Sequence, residues 1–173
     1  MDLNEKLFDA ISHVDRSSAA SLIAAGADIN GRSELGEGVW PWVVPSGIKA
    51  VEYALELGAD PNFIDFTGSS PLSCAVVANV PAIASRIIDA GGRLDAGLDA
   101  TRYNVIHEAA AGGYEEVLLV LVQRASLELL KAENVLERTP LDEANAAGHT
   151  NCSRILAQEI ARKEAEMNLK SEP

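Results

Sequence analysis

The feature that most constrains this chain is that it repeats itself. LIAAGADIN at 22–30 returns as ALELGADPN at 54–62 and, more weakly, as IIDAGGRLD at 87–95. SSPLSCAVVAN (69–79), NVIHEAAAGG (104–113) and RTPLDEANAAG (138–148) are likewise variants of one segment. Anchored on the apolar residue that opens each unit, Leu7, Val39, Leu72, Ile106 and Leu141, the spacings are 32, 33, 34 and 35 residues. A unit of that length cannot bury an apolar face alone, so it stacks on its neighbours, and the two end units act as caps.

Local signals make each unit a helix, a turn and a second helix. Ser70 and Thr139 are good N-caps, followed by Pro71 and Pro140 at the first helical position, where a missing N–H costs little. Gly26 and Gly58 end the second helix where a positive φ is needed. Ala10, Ala75, Ala109 and Ala144 recur at one position of the first helix and allow close approach of neighbouring units. The pairs Leu22/Ile23, Ile87/Ile88 and Leu121/Val122 on the second helix fill the space between layers.

The patterns Asp65-x-x-Gly68-x-Ser70-Pro71-Leu72, Thr139-Pro140-Leu141-x-x-Ala144 and His107-x-Ala109-Ala110 fall in register with Gly26-Ala27-Asp28 and Gly58-Ala59-Asp60. Together they resemble the ankyrin repeat, over residues 3 to about 165. The resemblance implies an all-α solenoid of stacked helix-turn-helix repeats with short finger turns. It forms one domain over 1–167, with repeats at about 3–30, 31–62, 63–95, 96–129 and 130–167. Turns are expected at 31–37, 63–70, 96–104 and 130–138. The last helix is expected to run on through AQEIARKEAEM, with Ile155, Leu156, Ile160 and Met167 covering the final layer. Residues 168–173 are expected to fray.

Size and charge narrow the function. A chain of 173 residues, 47% apolar, can bury a proper core. Its formal charge of −12 is spread along the chain, repels nucleic acid and anionic membrane, and attracts basic partners. The N-terminal MDLNEKLFDAISHV lacks the pattern of a signal peptide, and no stretch reaches the length of about 18 apolar residues of a membrane span. The expectation is a cytoplasmic protein, monomeric when free, with Cys74 and Cys152 as reduced thiols.

Three histidines are dispersed. His107 occupies the histidine position of the repeat, where the resemblance implies a structural hydrogen bond to the turn, and His13 and His149 lie at the ends of other elements. No metal spacing, nucleophile elbow or phosphate loop is present, so neither a cofactor nor a metal is expected, and the reading is a non-enzymatic binding protein. An enzyme or metal protein using His107, Glu108 and Tyr103 is the alternative class. The resemblance places partner contacts on the fingertips and the exposed inner-helix face: Ser33, Glu34, Gly36, Phe66, Thr67, Ser69, Val77, Ala78, Ala100, Thr101, Tyr103, Ala111, Val135, Leu136 and Arg138. Phe66 and Tyr103 are the aromatic anchors among them. The partner expected is a protein of basic charge. The sharpest version is an immunity or inhibitor protein that neutralises a toxin, and a regulatory or adaptor subunit is the alternative.

The second unit breaks the pattern. In GVWPWVVPSG (38–47), Trp40 takes the histidine position and Trp42 the alanine position. Pro45 does not suit a continuing helix and biases Val44 towards extended backbone. The expectation is an inner helix of about one turn or an irregular segment, then an outer helix from Ser46 as N-cap to Leu57. Turned outward, Trp40 and Trp42 form an aromatic surface beside Glu34 and Glu37; turned inward, they widen the gap to the third unit; the expectation is one buried and one partly exposed.

Overall fold

The computed structural model describes residues 1–96 and 101–171, and among these there are eleven helices and no strand. An inner row packs side by side in chain order: α1 (Leu3–Ser12), α3 (Trp40–Ser46), α5 (Pro71–Val77), α7 (Val105–Gly112) and α10 (Pro140–Ala146). Behind it stand α2 (Arg16–Ala24), α4 (Ile48–Glu56), α6 (Pro81–Asp89), α8 (Glu115–Arg124) and α11 (Thr150–Ser171). The five helix pairs follow the period of the sequence.

The anchors Leu7, Val39, Leu72 and Ile106 are buried, and Leu141 is half-buried at the last inner helix. The recurring alanines are buried between inner helices. Ser70 caps α5 by accepting from the Ser73 N–H, and Thr139 and Asp142 form a reciprocal capping box on α10. Each inner helix reverses into its outer helix through one left-handed residue: Val14, Gly47, Asn79, Gly113 and Gly148, with φ of 57, 99, 50, 69 and 76°. That backbone region is cheap for glycine and tolerable for asparagine, but costly for a β-branched residue such as Val14.

Adjacent units are tied at their outer ends by asparagines. The Asn30 side-chain amide donates to the Gly58 carbonyl while its oxygen accepts from the Asp60 N–H; Asn62 does the same with the Gly91 carbonyl and the Arg93 N–H. Beyond the asparagines, the described residues hold three five-residue fingers of one design. The N–H groups of Ser33, Asp65 and Asn134 donate to the carbonyls of Glu37, Ser69 and Arg138. The side-chain oxygens of the same three residues accept from the N–H groups two and four positions on. With their polar groups thus satisfied, the fingers can stand out from the stack. Residues 97–100, and with them the expected contact Ala100, lie outside the described residues.

The second unit differs from expectation. Its inner helix is seven residues long and contains Pro45. Because the helix ends one residue later, Pro45 forfeits a single main-chain bond, and burial of Val43 and Val44 offsets that cost. Ser46 is not the N-cap of the outer helix: its hydroxyl donates back to the Trp42 carbonyl, and Gly47, in the left-handed joint, precedes α4.

Three further expectations are corrected. Ile23 is exposed, since α2 begins the outer row. Met167 is exposed as well, because α11 has passed the last layer by that point; its Ile155 and Leu156 make the cover. The helix also continues through residues 168–171 of the segment expected to fray, no proline or glycine interrupting it, and residues 172 and 173 lie outside the described residues. A single-turn helix, α9 (Leu127–Leu130), capped by Ser126, adds length to the fourth unit and accounts for its 35-residue spacing.

Candidate functional site

The fingers and the inner row meet at a concave face. Equivalent finger positions carry Glu34, Phe66 and Val135, then Leu35, Thr67 and Leu136. Four apolar side chains therefore stand in water along one edge: Leu35 (69% exposed), Phe66 (64%), Val135 and Leu136 (66%). Phe66 lies against the neighbouring finger at Gly36, where an added Cβ would come within 3.2 Å of the ring. That contact sets the spacing of the first two fingers without burying the ring.

Below the fingertips run two adjoining cavities. The larger, about 440 Å³, is lined by Thr67, Ser69, Ser73, Tyr103, Glu108, Leu136 and Glu143, among others. The second, about 390 Å³, extends past Ser73 and Glu108 to Asp65, Cys74, Val77, Pro41 and Pro45. The two share Ser69, Ser73 and Glu108, so they form one groove. Among the described residues, its lining holds the carboxylates of Asp65, Glu108 and Glu143 and no lysine, arginine or histidine.

The Ser73 hydroxyl donates to Glu108 Oε2 at 2.7 Å, and the Asn134 side-chain amide donates to Glu143 Oε1 at 2.8 Å. Burial raises the Glu108 carboxyl above its usual range, against the Ser73 hydrogen bond. Burial pushes the Cys74 thiol up to about 11, helped by the charges of Asp65 and Glu108, so it stays a thiol at neutral pH and is a poor nucleophile. Burial also pushes the Tyr103 hydroxyl up to about 12, with Glu143 and Glu108 adding to it. All three shifts report a partly dry, negative groove.

The expected contacts divide accordingly. Thr67, Tyr103, Val135 and Leu136 line the groove together, and Arg138 stands at its rim with Nη1 3.9 Å from Glu143 Oε2. Phe66 and Glu34 are exposed on the fingers and Glu37 is half-buried. Trp40 is a correction: it is 2% exposed, and its indole N–H donates to the Asp60 carbonyl at 2.9 Å, so it is core and offers no surface. Trp42, too large for the alanine slot, is half-buried and leans on Phe8 of the first unit, ring centroids 6.4 Å apart.

His107 is fully buried. Its Nε2 lies 3.1 Å from the Arg138 carbonyl and its Nδ1 2.9 Å from Asn104 Oδ1, and burial lowers its pKa. The ring thus joins the fourth unit to the finger of the fifth, as the family resemblance implied, and is not part of the groove lining. Among the described residues, no three His, Cys, Asp or Glu side chains are grouped to hold a metal ion. Nor, among them, is any helix long and apolar enough to cross a membrane.

Leu35, Ser73 and Glu143 are not among the expected contacts, and Glu108 enters only with the alternative enzyme class. Leu35 was available from finger register, 32 residues before Thr67. Glu108 and Glu143 lie two residues after their anchors, Ile106 and Leu141, a position that the other inner helices fill with Asp9, Pro41 and Cys74. Reading that one column down the repeats would have found the acidic floor.

No model of a known protein family matches the chain. It is similar to Cyclin-dependent kinase 4 inhibitor B of Rattus norvegicus, 29% identical over 110 residues, covering 63% of this chain and 82% of the relative. The Mus musculus protein of the same name matches with the same identity and coverage. Protein fem-1 homolog A-like of Mus musculus is 44% identical over 54 residues, which cover 31% of this chain and only 8% of that protein. With its five units in register and its double row of helices, the chain is an all-α solenoid of stacked helix-turn-helix units, similar to these ankyrin-repeat proteins.

Proposed function

We propose that this protein is a non-enzymatic protein-interaction module that works by occupying the surface of a basic partner protein in the cytoplasm. The observation that carries the reading is the concave groove, edged by exposed apolar fingertips and lined, among the described residues, by carboxylates without a cation. Apolar tips supply contact area, while a net charge of −12 steers a basic partner into register. The groove is weakly suited to covalent chemistry, since its one thiol is held protonated and its neighbouring histidine is locked in the core.

The most specific form is an immunity or inhibitor protein that neutralises a basic toxin. Co-elution of the protein with a purified candidate toxin on size-exclusion chromatography tests it. Phe66→Ala and Leu136→Ala should each weaken the complex, whereas no complex at low salt with any candidate would sink the toxin form. A regulatory subunit acting on an enzyme is the second reading. It is favoured by the names of two relatives, which describe inhibitors of cyclin-dependent kinase 4.

A further inference from the structure

The groove has a one-sided charge and a one-sided rim. Glu108 and Glu143 flank Tyr103 on the floor, while Val135 and Leu136 stand exposed at the edge of the same cavity. We propose that this groove takes a segment of the partner protein that places an arginine or lysine side chain on the Glu108–Glu143 floor and an adjacent large apolar side chain over Val135 and Leu136. The inference rests on the protein-binding reading above and names the chemistry of the occupant.

Charge complementarity selects the cation. A carboxylate can accept about four hydrogen bonds. Glu108 accepts one from Ser73, and Glu143 one from Asn134 with the Arg138 guanidinium standing off at 3.9 Å. An apolar or acidic side chain seated on this floor would strip water from two carboxylates and return nothing. A cation replaces the lost hydration with charge-assisted hydrogen bonds, and a planar guanidinium, with five donors, can bridge two acids where an ammonium serves one less well. The apolar half of the occupant follows from the rim. Leu136 and Val135 are held out by a finger whose backbone is already satisfied by Asn134, so they gain burial only from an incoming chain.

The test is a selection from a random linear peptide library displayed on phage, with the biotinylated full-length protein as bait. Enriched peptides are then synthesised and titrated against the parent, Glu108→Gln, Leu136→Ala, Phe66→Ala and Glu116→Gln. Glu116 is exposed on α8 in the outer row, so its variant loses the same single charge away from the groove. Winners should share an arginine or lysine beside a leucine, isoleucine, phenylalanine or tryptophan. Glu108→Gln and Leu136→Ala should each weaken them by about tenfold, and Glu116→Gln by less than about twofold. Circular-dichroism melts confirm that each variant is folded. Winners without a cation, binding indifferent to Glu108→Gln, or no enrichment at all would overturn the inference. If binding is indifferent to Glu108→Gln but lost on Phe66→Ala, this inference fails and the protein-binding reading stands.

Discussion

A single side chain shows how the groove sets function against stability. Glu108 has its pKa raised by burial, so around its ordinary value of 4.5 the folded state holds the proton more tightly than the unfolded chain does. For such an acid, stability is highest while the group is protonated and falls as pH rises through the folded pKa. The ionised Glu108 therefore costs stability at neutral pH. Glu108→Gln, which keeps an acceptor for Ser73, should raise the melting temperature at pH 7, and the gain should shrink as pH falls towards 4.5; a variant less stable than the parent at pH 7 contradicts this. The same substitution is expected to weaken partner binding, an opposition of signs that a purely structural residue would not show. Asn79 offers a second test at this scale. It is exposed and left-handed at the α5–α6 joint, so backbone conformation dominates its contribution. Asn79→Ala should cost about 1 kcal/mol in urea unfolding, and Asn79→Gly should cost nothing or stabilise.

Helix α3 is the element where local preference and packing disagree. Pro45 argues against a continuing helix, yet Trp40, Val43 and Val44 bury themselves between α1 and α5, and that burial holds the segment helical. Trp40 acts as core twice over, by its volume and by the hydrogen bond to the Asp60 carbonyl. Trp40→Phe keeps most of the volume and leaves that carbonyl without its donor, so it should cost about 1–3 kcal/mol. Trp40→Ala should cost about 3–5 kcal/mol because it also opens a cavity. Denaturant unfolding measures both; if Trp40→Phe is silent, the hydrogen bond contributes nothing. Neither change touches the groove directly, so a Trp40→Phe protein that remains folded should keep its partner affinity.

At the scale of the molecule, the stack supplies two things that no single unit has: a continuous groove and a field. The field follows from 26 acidic against 14 basic side chains. With a basic partner, the association rate should fall by about tenfold or more between low and high ionic strength while dissociation changes little. Stopped-flow mixing at several salt concentrations measures this, and a flat association rate would count against a basic partner. Cross-unit ties at the back, such as Arg16 with Glu56 and Arg124 with Asp89, are exposed and contribute little each. The asparagine ties and the buried layers between inner helices hold the groove in shape.

Much of this was legible in the sequence, because a stacked repeat is governed by local rules written over and over. Period, caps, the alanine column and the Gly26 and Gly58 helix ends all followed from residue types at fixed spacing, and the histidine bond of His107 from the family resemblance. The resemblance also singled out Thr67, Tyr103, Val135 and Leu136 as expected contacts, and stacking places these four on one groove. Tertiary structure alone decided where local signals conflict or fall silent. Burial overruled Pro45 in α3 and turned Trp40 inward, since the energy of filling the layer exceeds the loss of one main-chain bond. The acidic floor likewise belongs to no unit: Ser73, Glu108 and Glu143 come from three successive inner helices, and only their stacking brings them into one cavity.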